Sequence, residues 1–191
     1  LDRQDDMVVT GKRHEFANRY KVGLDKSGRI LGVDMQLAGL CGYAPDLSDA
    51  IVDRAMFHCD NAYYYPAAHV AGHRCKTHTV SNTAYRGFGG PQGLMTAEYM
   101  MDHIAYTLGQ DPLQVRLANL YQDGQSTHYG QTIEHFDLAT IMTKLADDCD
   151  YDNRRQQILE ANQKAAAEGS DKRLGLALTP VKFGISFTVQ T

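Results

Sequence analysis

In the first part of the chain, apolar residues alternate with other residues with a period of two. Apolar or aromatic residues recur at every second or nearly every second position in residues 16–24 and again in residues 31–37. Between them lies Asp-Lys-Ser-Gly, residues 25–28, whose residue types favour a tight turn. Because alternation of period two is typical of strands, these residues predict a β-hairpin.

Beyond the hairpin, apolar residues recur mainly at spacings of three and four, which indicates helices. The clearest run follows Pro91 and ends before Gly109, and further helices are predicted from Asp46 or Ser48 to Phe57, after Asp111, after Asp137, and over residues 151–168. Residues 70–79 and 182–188 are predicted strands. We therefore predict an α+β fold, with an antiparallel sheet formed by the hairpin, the 70–79 strand and the final strand, and helices packed on one side.

The composition of the chain argues against some classes of binding partner and indicates a cellular compartment. With 19 Lys and Arg against 23 Asp and Glu, the net charge of −4 argues against a nucleic acid or an anionic membrane as partner. No apolar run approaches the ~20 residues of a membrane span. The four cysteines are scattered without a C-x-x-C pair, so we expect no iron–sulfur or zinc site here and interpret them as reduced thiols of a cytoplasmic protein.

A glycine-rich run, Arg-Gly-Phe-Gly-Gly-Pro-Gln-Gly at residues 86–93, immediately precedes the clearest helix. Glycine permits close backbone approach to a ligand, and a helix N-terminus favours an electron-rich group. The run is neither a dinucleotide fingerprint, because Gln92 occupies the third glycine position, nor a P-loop, because no Gly-Lys-Ser/Thr follows. The residues alone do not decide between a structural turn and a ligand-binding loop that presents Arg86 and Phe88.

Arg54 lies on the apolar stripe of the predicted helix that contains Leu47 and Ile51. A guanidinium on an inward face needs a partner, because burial of an unpaired charge is very costly. Its stem could instead pack while its head reaches water. The alternative is an arginine that contacts an electron-rich ligand.

Four stretches, residues 49–61, 76–97, 109–121 and 181–188, together resemble the molybdenum hydroxylase family, and within it the xanthine dehydrogenases. The resemblance extends over nearly the whole chain. It implies a molybdopterin-binding domain of the aldehyde oxidase/xanthine dehydrogenase type, and hydroxylation of hypoxanthine to xanthine and of xanthine to urate, with water as the oxygen source.

The resemblance also implies roles for particular residues. Arg54 matches the arginine that contacts the purine and stabilises negative charge on it, and Phe88 and Phe187 match two rings that flank the purine. Thr188 matches a residue that hydrogen-bonds the substrate. Arg86 and the adjacent Gly87 match the part of the loop that contacts the molybdenum–molybdopterin cofactor.

We expect residues 1–191 to form a single domain that is an excised fragment of the molybdopterin-binding subunit. The family's purine-pairing glutamate and its general-base glutamate are expected outside this fragment, so the isolated fragment is predicted to be inactive. Iron–sulfur clusters, FAD and NAD are expected in other parts of the enzyme, which is expected to be oligomeric. A fragment of an aldehyde oxidase-type relative, or a non-catalytic ligand-binding domain, are the alternatives; Arg54 favours the purine enzyme over the aldehyde oxidase.

Overall fold

The structure of the chain, a computed structural model, describes residues 2–184. In chain order the elements are α1 Arg3–Val9, β1 Phe16–Leu24, β2 Ile30–Gly42, α2 Ser48–His58, β3 Ala68–Lys76, α3 Gly90–Leu108, α4 Pro112–Asn119, α5 Leu138–Asp148 and α6 Tyr151–Ala167. The α+β prediction is confirmed. Helix α1, which was not predicted, is capped by Asp2, whose side chain accepts from the backbone N–H groups of Gln4 and Asp5.

The sheet in the described part of the chain has the order β1-β2-β3. Strands β1 and β2 form the predicted antiparallel hairpin, with Tyr20 opposite Met35. Strands β2 and β3 are parallel, with Met35 opposite Val70, so the prediction of an entirely antiparallel sheet is wrong. The cause is the connection: α2 crosses over between β2 and β3, and a helical crossover returns the chain in the same direction.

One face of the sheet packs against α2 and α3, in agreement with the prediction that helices lie on one side. Met35 and Leu37 of β2 are fully buried on this face, together with Ala55 of α2 and Ala97 of α3. On β1 the residues that point away from the helices are exposed, which gives the strand its strict alternation. The core therefore lies between the sheet and the two helices that carry most of the predicted site.

The helix boundaries follow local sequence chemistry closely. Pro91 lies in the first turn of α3, and Gly109 ends it in the left-handed conformation. Asp111 caps α4 by accepting from the backbone N–H of Leu113. Of the predicted closing strand, residues 182–184 are not in a strand and residues 185–188 lie outside the described residues.

Candidate functional site

Arg54 is buried on α2, as its position on the apolar stripe indicated. Only 4% of the residue is exposed, and its neighbours Ile51 and Ala55 are at 1% and 0%. Its Nη1 donates to the carbonyl oxygen of Gly184 at 3.2 Å, and its guanidinium carbon lies 5.1 Å from the centre of the Phe183 ring. The guanidinium is therefore held at an inner face of the fold instead of reaching out into water.

The glycine loop has an unusual backbone. Gly87, Phe88 and Gly89 all have positive φ, at 91°, 51° and 97°. A positive φ is uncommon for a bulky residue and is often found at functional sites. A hydrogen bond from the Phe88 N–H to the Tyr85 carbonyl oxygen at 2.8 Å supports the turn that leads into α3. The loop thus holds the half-buried Phe88 in a defined but strained conformation.

The loop and the start of α3 pack directly on the turn of α2 that carries Arg54. A β-carbon on Gly93 would overlap the carbonyl oxygen of Ala55, and one on Gly90 would overlap the ring of Phe183. Only glycine permits so close a contact. The structure therefore brings the helix of Arg54 and the loop of Phe88 together, with Phe183 beside both.

Phe183 and His58 are parts of this region that the sequence did not single out. The ring of Phe183 lies against that of His58, with centroids 4.8 Å apart and an interplanar angle of 45°. Phe183 belongs to the predicted closing strand, and His58 lies just beyond the predicted end of the helix at Phe57. Phe187 and Thr188, the other predicted substrate residues, lie outside the described residues.

Arg13 is a further residue that the sequence reasoning missed, although it belongs to the Thr-Gly-Lys-Arg-His string at residues 10–14. Its Nη2 donates to the carbonyl oxygen of Arg86 at 2.7 Å, and its guanidinium carbon lies 4.3 Å from the centre of the Tyr85 ring. Its Nη1 is buried and has no hydrogen-bond partner among the described residues. That nitrogen lies 3.9 Å from where a β-carbon of Gly87 would be.

An unsatisfied buried donor next to a loop with an exposed arginine fits an anionic or electron-rich group. A buried N–H without an acceptor is costly, and the loop supplies a second cation, Arg86, whose residue is exposed. Arg13 and Arg86, with Gly87 between them and α3, are thus suited to a cofactor that carries phosphate or sulfur groups. The fit of these residues to molybdopterin is therefore good.

The cysteines and histidines of the described residues form no metal site. All four cysteines are free. Burial raises the pKa of the Cys59 thiol, helped by the charge of the neighbouring Asp60, so this thiol stays protonated. Within residues 2–184, no group of three or more His, Cys, Asp or Glu side chains is arranged to hold a metal ion.

Solved structures define the class of the fold. An aldehyde oxidoreductase from Desulfovibrio desulfuricans superposes with a TM-score of 0.71 at 26% identity, over 80% of this chain and 17% of that chain. A CO dehydrogenase from Oligotropha carboxidovorans has a TM-score of 0.76 at 22% identity, over 88% of this chain and 22% of that one, and supports the fold alone. The fold is thus that of these large oxidoreductase chains. No helix within residues 2–184 combines the length and apolar character that crossing a membrane requires.

Sequence relatives define the family. The profile of the molybdopterin cofactor-binding domain matches residues 1–120, so the chain belongs to that family. A xanthine dehydrogenase/oxidase from Felis catus is 42% identical over 99% of the chain, and xanthine dehydrogenase 1 from Arabidopsis thaliana is 40% identical over 100% of it. The chain spans 14% of the length of each of these relatives.

Proposed function

We propose that this chain forms part of the purine and molybdopterin site of a xanthine dehydrogenase. The full-length enzyme would hydroxylate hypoxanthine to xanthine and xanthine to urate, with water as the oxygen source. The observation that carries the proposal is the burial of Arg54 on the helix turn against which the glycine loop packs. The 42% identity to a xanthine dehydrogenase/oxidase over 99% of the chain supports it.

In this proposal Arg54 is the catalytic residue of the chain and also binds the substrate. Negative charge develops on the heterocycle when its electron-poor carbon is attacked, and a nearby guanidinium stabilises that charge. The Arg54 side chain is oriented by its hydrogen bond to Gly184 and by the ring of Phe183. Little reorganisation is then needed during the reaction, which is the condition for a large electrostatic effect.

Phe88, Phe187 and Thr188 are proposed as the remaining substrate-binding residues of the chain. The two rings would contact the face and the edge of the planar purine, and Thr188 would hydrogen-bond it. Aromatic contacts of this kind contribute about 0.5–1.5 kcal/mol beyond area burial, so they orient the substrate. The positive φ of Phe88 is consistent with a side chain held for such a contact.

Arg86 and Gly87 are proposed to bind the molybdenum–molybdopterin cofactor, and the geometry adds Arg13. The cofactor supplies the oxidation and oxygen-transfer chemistry, while these residues would hold its electron-rich groups in place. We place the iron–sulfur clusters, FAD and NAD in other parts of the same enzyme. Because we place the purine-pairing glutamate and the general-base glutamate outside residues 1–191, we propose that the isolated chain is inactive.

The remaining assignments concern the enzyme as a whole. We propose that residues 1–191 form one domain, that the domain contacts the iron–sulfur/FAD part of the enzyme, and that the enzyme is a cytoplasmic oligomer. The four free cysteines are in keeping with a reducing compartment. The net charge of −4 gives no support to a nucleic acid or an anionic membrane as partner.

The test is to replace Arg54→Met in the full-length enzyme and to measure kcat/KM for xanthine and hypoxanthine together with molybdenum content. We expect kcat/KM to fall by about 10²–10³-fold, the usual effect of removing one transition-state donor, while molybdenum remains bound. The exposed Arg19→Met on β1 is the matched control and should leave kcat/KM unchanged. An unchanged kcat/KM in Arg54→Met would remove the purine assignment.

The similarity to a solved aldehyde oxidoreductase supports an aldehyde oxidase-type enzyme as the second candidate. The wild-type full-length enzyme distinguishes the two, since the purine enzyme should prefer hypoxanthine and xanthine to aromatic aldehydes. The reverse preference would favour the second candidate.

A further inference from the structure

We propose that His58 is a positioning residue: its neutral imidazole holds the backbone at Gly184 and thereby fixes the segment of residues 180–184. This inference rests on the proposed function, because Phe187 and Thr188, the two residues assigned to the substrate, follow that segment in the sequence after two intervening residues. His58 would act through the segment and would not touch the purine itself.

Residues that follow α2 hold the 180–184 segment at several points. The side-chain amide of Asn61 donates to the carbonyl oxygen of Pro180 at 2.9 Å, and its oxygen accepts from the backbone N–H of Lys182 at 3.0 Å. The ammonium group of Lys182 donates to Oδ2 of Asp60 at 2.6 Å. These bonds attach the first part of the segment to the residues that follow α2.

At Gly184 the backbone is held from both sides by residues one helical turn apart. Nε2 of His58 accepts from the Gly184 N–H at 3.1 Å, and Nη1 of Arg54 donates to the Gly184 carbonyl oxygen at 3.2 Å. Side chains at i and i+4 project from the same face of a helix, so both reach the backbone of one residue, Gly184. His58 therefore holds the N–H of the residue whose carbonyl oxygen accepts from Arg54.

The two partners of the imidazole determine its protonation. Nδ1 lies 3.0 Å from the carbonyl oxygen of Arg54, which can only accept, so Nδ1 carries the proton. Nε2 faces the N–H of Gly184, which can only donate, so Nε2 carries none. Protonation at Nε2 would replace this hydrogen bond with two donors that face each other.

The surroundings keep the imidazole neutral. Burial lowers the pKa of His58 below its usual 6.5; the hydrogen bond to the Arg54 carbonyl and the charge of Asp60 oppose this shift, and the charges of Arg54 and Lys182 add to it. From outside α2, the uncharged ring of Phe183 and the backbone of Gly184 face the imidazole. Because the folded pKa is lowered, the attachment is complete above pH 6.5 and weakens as the pH falls through the lowered pKa.

Two substitutions in the full-length enzyme distinguish the effect of the hydrogen bond from Gly184 to Nε2 from the effect of the ring contact with Phe183. His58→Phe keeps a ring against Phe183 but has no acceptor, and His58→Gln keeps an acceptor that does not titrate. His73→Gln is the control: it makes the same His-to-Gln change at an exposed position on β3, away from the 180–184 segment. The readouts are kcat and KM for xanthine between pH 5.5 and 8, molybdenum content, and hydrogen exchange of peptides that contain residues 180–184.

At pH 8 we expect His58→Phe to raise KM by about five- to tenfold, the effect of one lost hydrogen bond, and to speed exchange in the segment with molybdenum retained. His58→Gln should match the wild type within about twofold at pH 8. We also expect KM to rise on the acid side in the wild type and in His73→Gln, and to show no such rise in His58→Gln. Wild-type KM and exchange in His58→Phe, or an acid-side rise that survives in His58→Gln, would overturn the proposal.

The failure of this proposal differs from failure of the proposed function. If Arg54→Met loses purine turnover while His58→Phe behaves as the wild type, only the positioning role is wrong. If Arg54→Met retains purine turnover, the substrate assignment is wrong, and the exchange measurement alone decides whether His58 holds the segment.

Discussion

Gly89 lies so close to Ile51 that a β-carbon on the glycine would overlap the carbonyl oxygen of the isoleucine. The glycine also has a φ of 97°, in the region that favours residues without a side chain. The contact joins the loop that carries Phe88 to the helix that carries Arg54. The proposed site therefore requires the close approach of Gly89 to Ile51, and so does the stability of this part of the fold.

We predict that Gly89→Ala destabilises the full-length protein by about 3 kcal/mol or more, since it adds left-handed backbone strain to a direct steric overlap. The measurement is the midpoint of thermal unfolding together with the yield of protein that contains molybdenum. Both should decrease, because the loop can avoid the steric overlap only by losing its contact with α2.

Gly109→Ala is the matched control for backbone strain. Gly109 also has a positive φ, 64°, but a β-carbon there would meet nothing within 4 Å. We expect a cost of only about 1–2 kcal/mol from the left-handed conformation. Equal losses for the two variants would contradict a close contact between Gly89 and Ile51.

Arg116 and Glu98 form a buried ion pair between α4 and α3. Arg116 is 1% exposed, and its Nε donates to Oε2 of Glu98 at 2.8 Å. Oε1 of Glu98 accepts from Asn61 and from the hydroxyl of Tyr63, both at 2.6 Å. The pair thus connects α3 and α4 to the residues that hold the 180–184 segment.

We predict that Arg116→Met lowers the free energy of unfolding by about 3–5 kcal/mol, because Glu98 would keep its charge in a largely buried site without the cation. Thermal unfolding of the full-length protein measures this. Lys144→Met, which removes an exposed i,i+4 pair with Asp148, should cost at most about 0.5 kcal/mol. A loss for Arg116→Met as small as that of Lys144→Met would contradict the prediction.

Much of the secondary structure could be predicted because its signals are local. Pro91 and Gly109 delimit α3, Asp111 caps α4, and the turn at residues 25–28 closes the hairpin. The direction of β3 was predicted wrongly because strand pairing is not local. A helix was nevertheless predicted between β2 and β3, and that crossover is the signal that could have indicated a parallel pair.

The site was predictable to a similar extent. The apolar spacing around Arg54 placed it on an inward face, and the residue is buried. The glycines at residues 86–93 indicated a turn or a close approach of the backbone to a ligand, and the structure shows a close approach to α2. The partner of Arg54 at Gly184 lies 130 residues away in the sequence, and no local pattern contains that contact. For the same reason Arg13, 73 residues from Arg86, and His58 were not recognised. The roles assigned to Phe187 and Thr188 stay predictions.

Asp60 provides the last prediction, because it is a fully buried carboxylate that depends on a distant cation. Its Oδ2 accepts from Lys182 at 2.6 Å and from the hydroxyl of Tyr121 at 2.8 Å, while Oδ1 has no hydrogen-bond partner among the described residues. Removal of the lysine would leave a buried charge with one hydroxyl donor. We predict that Lys182→Met destabilises the full-length protein by about 3 kcal/mol and speeds hydrogen exchange in residues 180–184.

A double-mutant cycle tests whether the two residues act together. Asp60→Asn removes the charge that Lys182 neutralises, so Lys182→Met should cost much less in the Asp60→Asn background than in the wild type. We expect a coupling free energy of about 1–3 kcal/mol from thermal unfolding of the four proteins. Additive losses would mean that Lys182 contributes through its stem alone, and that the carboxylate of Asp60 does not hold the segment.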